Sequence, residues 1–160
     1  MIIVRAARAA DVNELSKLGL DAWTKGIAPF VSRKVADRVR GNNPFPSFVK
    51  QLGADLLVAT CEGSLAGMAG SETSDNHISD VWVAPKYESR GVATALIQEL
   101  EKQISAKGYT QTTIEVAASN HRAHRLYVRL GYLEVWRGQR KDAILETSLQ
   151  KISFRKSVSK

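Results

Sequence analysis

The chain has 160 residues, 44% hydrophobic and 24% charged, with a formal charge of +7 and an isoelectric point near 9.7. That length suits one domain burying roughly 70% of its unfolded surface, and its single cysteine, Cys61, excludes an internal disulfide and fits a reducing compartment. No run approaches the roughly 18 apolar residues of a membrane span and the start lacks a secretory-leader pattern, so the expectation is a cytoplasmic chain with no membrane partner, whose positive charge attracts polyanions or a phosphorylated ligand.

Residues 2–6 form a short apolar run suited to a strand. Asp11, three residues before Glu14, is a capping-box-like start for a helix with Val12, Leu15, Leu18, Ala22 and Trp23 at helical spacing. Ser32 caps a second helix through Val35 and Val39. Gly41-Asn42-Asn43-Pro44-Phe45-Pro46 interrupts it, and Phe48, Val49 and Leu52 resume it. Residues 56–61, the turn Glu62-Gly63 and residues 65–70 read as a hairpin; residues 77–83 are a further strand. Residues 91–107 are the clearest helix, with Val92, Ala93, Leu96, Ile97, Leu100 and Ile104 in one stripe and Gly108 past its end. A strand over 112–117, a helix over 120–130 and its terminator Gly131 follow. Residues 132–137 and 143–149 close the sheet as a hairpin around Gly138. This mixed order predicts one α+β or α/β domain over residues 1–150, and Lys151, Arg155, Lys156 and Lys160 mark residues 151–160 as a basic, frayed C-terminal tail.

Two segments carry chemistry. In Val81-Trp82-Val83-Ala84-Pro85-Lys86-Tyr87-Glu88-Ser89-Arg90-Gly91-Val92-Ala93-Thr94 a strand runs through a turn into a helix. The first N–H groups of a helix lack internal partners and sit at the positive end of its dipole, which together bind phosphate. Gly91 lets an anion approach the backbone, Ala93 keeps the second turn narrow, and Lys86 and Arg90 add charge. On this segment alone, a plain strand-to-helix turn stands as an equal alternative. In the second segment Asn120 is a good N-cap. Ala123, Leu126, Tyr127 and Leu130 share one face, and Arg122, Arg125 and Arg129 form a separate stripe. By itself this is also an amphipathic helix with a core tyrosine and a solvated basic face.

Together the two segments resemble the GNAT family of N-acetyltransferases. The family's acyl-CoA turn runs Gln or Arg, two residues, Gly, one residue, Gly or Ala. Gly91 and Ala93 match it; Glu88 holds the first position and places a carboxylate near a pyrophosphate. Asn120, Ala123, Leu126-Tyr127 and Leu130-Gly131-Tyr132 match the second motif at the family's usual distance, with Val116 four residues before Asn120. The resemblance spans roughly residues 56–137. It implies a mixed α/β fold with a central, mostly antiparallel sheet of about seven strands flanked by about four helices, the fourth and fifth strands splaying to admit the cofactor. Ile78 falls out of phase with Val81 and Val83, and a β-bulge at Ser79-Asp80 would restore all three to one face.

The resemblance further implies acetyl-CoA as co-substrate. Trp82 and Val83 would lie along the pantetheine arm, and Glu88, Ser89, Arg90, Gly91, Val92, Ala93 and Thr94 around the pyrophosphate. Asn120, Arg122, Ala123, Arg125 and Tyr127 would contact the cofactor from the second helix. Tyr127, a phenol of pKa near 10, would act as general acid toward the departing thiolate, with a backbone N–H of the splayed strand holding the oxyanion. Asp80 is the first candidate for general base, with His77, Glu115 and Glu72 behind it. No metal is implied, since His121 and His124 stand at i, i+3 without partner ligands.

The acceptor is expected to be a primary amine of a small molecule or peptide, walled by residues 23–52, where Trp23, Phe30, Phe45 and Phe48 read either as pocket or as core. An acyl-CoA sensor without turnover and an acetyltransferase acting on aminoacyl-tRNA are the alternatives. Direct nucleic-acid binding is disfavoured, because the charge clusters beside the cofactor site and aromatic interleaving is sparse. A homodimer is compatible with this pattern.

Overall fold

Two four-stranded sheets share the chain between them. The computed structural model describes residues 1–71, 76–142 and 144–158. The first sheet is antiparallel: β1 (Ile2–Ala6), β2 (Leu57–Cys61), β3 (Ser64–Gly70) and, beyond a short β4 (His77–Ile78), β5 (Asp80–Val83), in the order β1-β2-β3-β5. The expected hairpin turns on Glu62 and Gly63, both with positive φ (51° and 84°), as a two-residue connection demands. The second sheet takes β4, β6 (Gln111–Ala117), β7 (Leu133–Lys141) and β8 (Ser148–Ser157) in the order β4-β6-β8-β7, with only β4 parallel to its neighbour.

Alternate residues of β2 feed two cores. Leu57, Ala59 and Cys61 face α4 (Val92–Ala106) and α5 (His121–Arg129), whose Leu96, Ile97, Leu100 and Tyr127 join the same cluster. Leu56 and Val58 join the other cluster with α1 (Val12–Gly26), α2 (Arg33–Gly41) and α3 (Phe45–Leu52). α1 and α3 meet where Gly19 leaves room: a Cβ there would stand 2.4 Å from the Phe45 ring. Ser32 caps α2 as expected, its Oγ accepting from Val35 N–H at 3.2 Å. Asp11 precedes α1 but makes no side-chain cap bond to it. Its carboxylate accepts from the Arg8 N–H and from both terminal nitrogens of Arg5, because a half-buried guanidinium is a stronger partner than an exposed amide.

Two expectations about the C-terminus are corrected. The last hairpin does not turn at Gly138, which lies inside β7 under the Trp136 ring. The chain reverses after Asp142, whose Oδ1 accepts from the Ile144 and Leu145 N–H groups at 2.9 Å each; Ala143 is outside the described residues. Nor is the basic tail frayed. Residues 151–157 belong to β8, paired on both sides by β6 and β7, and bury Ile152 and Phe154 almost completely. Burying two such side chains contributes about 1.5–3 kcal/mol each, which outweighs the preference of the flanking lysines and arginine for water. Lys151 and Arg155 alternate to the opposite face, as a strand permits, while Lys156 shares the face of Ile152 and Phe154 and binds Glu101 through Nζ at 3.1 Å; Lys160 lies beyond the described residues.

Candidate active site

The expected bulge is where the two sheets part. Ser79 N–H and Ala84 N–H, an odd number of residues apart, both donate to β3 carbonyls, at 3.1 and 2.8 Å. Strict alternation would aim them in opposite directions, so one extra residue is accommodated between them. Ile78, Val81 and Val83 consequently pack in one core cluster. Upstream of the bulge β4 pairs with β6; downstream, among the described residues, β5 pairs with β3 alone. The backbone groups of Val81 and Val83 therefore face an open wedge between β5 and β6.

A cavity of about 670 Å³ fills that wedge. At its far end the turn before α4 presents backbone. Gly91 adopts φ 87°, and Ser89 a left-handed φ of 62°. Among the described residues no backbone carbonyl accepts from the N–H groups of Ser89, Arg90, Gly91, Val92, Ala93 or Thr94; the first helical bond runs from Ala95 N–H to the Gly91 carbonyl at 3.0 Å. This run of free amides at a helix N-terminus is an anion cradle. A Cβ on Gly91 would meet only Ile2 Cδ1, at 3.8 Å, so the left-handed backbone, more than protein packing, requires the glycine.

Of the residues expected at the cofactor, Val83, Glu88, Ser89, Gly91, Val92, Ala93, Thr94, Asn120, Arg122, Ala123, Arg125 and Tyr127 line this cavity. Asn120 caps α5, its Oδ1 accepting from Ala123 N–H at 3.2 Å. Trp82 contributes backbone there, while its indole lies on the opposite face, edge-on to Phe45 with centroids 5.2 Å apart. Lys86 and Arg90 are not in the lining; both cations lie over the Tyr87 ring, at 5.0 and 5.6 Å. Sequence reasoning missed the wall supplied by the end of α1, Ala22, Gly26 and Ile27, and the contributions of Tyr87 and Leu126. Nothing local in those residues marks them; only the packing of α1 against the turn brings them there.

Tyr127 is 6% exposed, with its ring against Tyr132 and Phe154. Among the described residues its hydroxyl has no protein partner, yet no buried side-chain polar atom there is left unsatisfied, so the hydroxyl opens onto the cavity it lines. Burial, and to a smaller extent the charge of Asp80, raises the phenol above its usual pKa, which keeps the proton in place at neutral pH. Asp80 accepts from Ser79 Oγ at 2.6 Å and from Trp82 Nε1 at 3.1 Å. Burial lifts its carboxyl above the ordinary aspartate range, and those two hydrogen bonds only partly offset the lift.

On the other side of β5, Asp80 lines a second cavity of about 350 Å³ with Arg38, Phe45, Phe48, Ile144 and Glu146. Phe45 and Phe48 are thus both core and wall; Trp23 is core, and Phe30 is exposed. The alternative bases are otherwise engaged. His77 shares a 2.6 Å hydrogen bond with Thr113 Oγ1, burial lowers its pKa, and it lines neither cavity. Glu115 is held by Arg140, Lys151 and Ser153. Glu72 lies outside the described residues.

The cradle, wedge and cation stripe fit a long ligand with a phosphorylated end. A model of the acetyltransferase (GNAT) family matches residues 23–132. The chain belongs to that family. Acetyl-CoA is the family's co-substrate, and its members are N-acetyltransferases. Solved structures share the fold end to end. A GCN5-related N-acetyltransferase from Rhodopseudomonas palustris is 22% identical with TM-score 0.78, covering 97% of this chain and 94% of that one. PaiA N-acetyltransferase from Thermoplasma acidophilum, solved with coenzyme A, is 16% identical with TM-score 0.73, covering 98% and 99%. The ribosomal-protein-S18-alanine N-acetyltransferase from Escherichia coli is 20% identical with TM-score 0.71, covering 100% and 96%.

Proposed function

We propose that this acetyltransferase moves the acetyl group of acetyl-CoA directly to a primary amine of a small molecule or peptide, with Tyr127 as general acid and Asp80 as general base. The observation that carries this is the unpartnered Tyr127 hydroxyl, opening into the wedge that begins at the free amides of Ser89–Thr94.

The thioester supplies the acetyl group. Val81 and Val83 offer backbone groups along the open edge of β5 to an extended arm, and Ser89–Thr94 offer amides to a pyrophosphate. The second cavity holds the acceptor, with its amine toward Asp80. As the nitrogen–carbon bond forms and the carbon–sulfur bond breaks, Asp80 takes the proton the amine loses and Tyr127 gives the proton the sulfur gains. A carboxylate lifted by burial holds a proton more readily than a solvated one, which suits it to this task near neutrality. A volume of about 350 Å³ suits a small amine or the first residue of a peptide.

The test is to mix purified protein with acetyl-CoA and a panel of amines and peptides, following free thiol and acetylated product by mass spectrometry. Thiol release dependent on an amine supports transfer. Binding of acetyl-CoA with no thiol release across the panel would favour an acyl-CoA sensor.

A further inference from the structure

The carboxylate at the first position of the cofactor turn is not idle. One oxygen of Glu88, Oε2, bonds Lys25 Nζ of α1 at 2.9 Å and also pairs with Arg122 Nη1 of α5. Arg122 Nη2 donates in turn to Ser89 Oγ. Glu88 is the least exposed partner, at 21% against 56% for Lys25 and 52% for Arg122. The carboxylate thus sits inward, at the head of the free amides, with two cations folded over it. Glu88, Ser89 and Arg122 all line the cavity, and Ala22, Gly26 and Ile27, close to Lys25 along the chain, form part of its wall.

We propose that Glu88 is a resident counter-anion. In the free protein it holds Lys25 and Arg122 across the phosphate end of the cavity, and cofactor binding proceeds by exchange, Arg122 leaving the carboxylate for a cofactor phosphate. This rests on assigning the cavity to CoA. The physical reason is that one guanidinium facing two anions divides its attraction between them, while the anions repel each other at close range. The carboxylate therefore weakens the complex in two ways: by occupying Arg122 beforehand and by opposing the pyrophosphate afterwards. It also ties α1 to α5 without cofactor, so the cavity keeps its shape while empty, and it eases departure of CoA after turnover.

The test is calorimetric titration of CoA into wild type, Glu88→Gln, Arg122→Gln and the double variant, with melting curves to confirm folding and Glu88→Ala as a second removal of the charge. Glu88→Gln and Glu88→Ala should bind CoA about three- to tenfold tighter, since partly exposed ion pairs fall below the roughly 1.4 kcal/mol that a factor of ten represents. The gain should grow at low salt and shrink in the Arg122→Gln background, where only the direct repulsion between carboxylate and pyrophosphate remains to be relieved. Weaker or unchanged binding in both Glu88 variants overturns the exchange, and so does an equal gain with and without Arg122. Wild-type protein that gives no CoA binding heat overturns the cofactor assignment itself, a different and separately visible result.

Discussion

On one face of β5 the cavity offers backbone, at the open edge of Val81 and Val83 and the amides of Ser89–Thr94, beside side chains of α1 and α5. On the other face it is built from side chains contributed by three separate stretches: Arg38 of α2, Phe45 and Phe48 of α3, and Ile144 and Glu146 of the β7–β8 connection. Backbone groups are present whatever the side chains are, so that part of the first cavity constrains only a glycine, a small residue and the helix start. The second changes shape and charge with each substitution. On the proposed reading, a shared donor and a private acceptor are what this division of material serves. It also explains why a carboxylate is tolerated at Glu88: the amides persist beneath it.

The largest break in the comparison comes from filling the backbone site. Gly91→Glu should remove CoA binding altogether in calorimetry, because a bulky anion would occupy the cradle. Its left-handed backbone should also lower stability by about 1–2 kcal/mol, visible in the melting temperature. Gly91→Ala carries the same strain with a methyl that meets little, so it separates the two effects by retaining measurable affinity. Calorimetry that finds unchanged affinity in a folded Gly91→Glu protein would refute the cradle.

Next in size is Tyr127→Phe. The ring that packs on Tyr132 and Phe154 remains, so cofactor affinity and melting temperature should hold. Turnover should fall toward the lower end of about 10²–10⁴-fold, since a thiolate departs readily and water can partly substitute. Normal turnover would remove Tyr127 from the chemistry.

Asp80→Asn probes the seam between the faces. Because the carboxyl is raised and must be ionised to act, wild-type kcat/KM should fall as pH drops through a value above the ordinary aspartate range, and the variant should lose that limb along with most activity. The sign for stability is opposite to that of a paired carboxylate. Burial disfavours the charged form, so the wild type loses stability as pH rises from the usual aspartate pKa through the raised one. Asp80→Asn should therefore melt higher than wild type at neutral pH and no higher in acid.

The smallest effect belongs to the exposed cations. Arg125→Gln should weaken CoA binding a few-fold at low salt and less at high salt, since solvent-exposed charges are screened over about 10 Å at 0.1 M. A loss independent of salt would mean that the side chain acts through packing. Lys86 and Arg90, lying over Tyr87, should matter less than Arg122 or Arg125.

Much of the backbone-built half was legible because its signals are local: the strand, the Gly91 turn and the Asn120 cap are adjacent in sequence and need nothing distant to take their conformations. The bulge was legible too, since the phase slip between Ile78 and Val81 is written in the alternation itself. The second cavity was not. Phe45 and Phe48 carry the same apolar signature whether they fill a core or wall a pocket, and here they do both. Residues 151–157 look like a tail because charge dominates their composition, yet Ile152 and Phe154, two apart on one face, were enough for a central strand once β6 and β7 offered it two ladders. Gly138 resembles a turn only until Trp136 is seen lying across it.

By itself, then, the sequence determined which segments are helix or strand along the turn before α4, and that Glu88 departs from the family's pattern. Only the tertiary structure decided which side chains meet that carboxylate. Lys25 and Arg122 lie 63 and 34 residues away from Glu88 along the chain, and pairing across such distances is set by how α1, the turn and α5 pack. The same holds for Asp80 and Tyr127. Each is plain as a residue type, but their shared electrostatics arises only where two sheets part around a single extra residue.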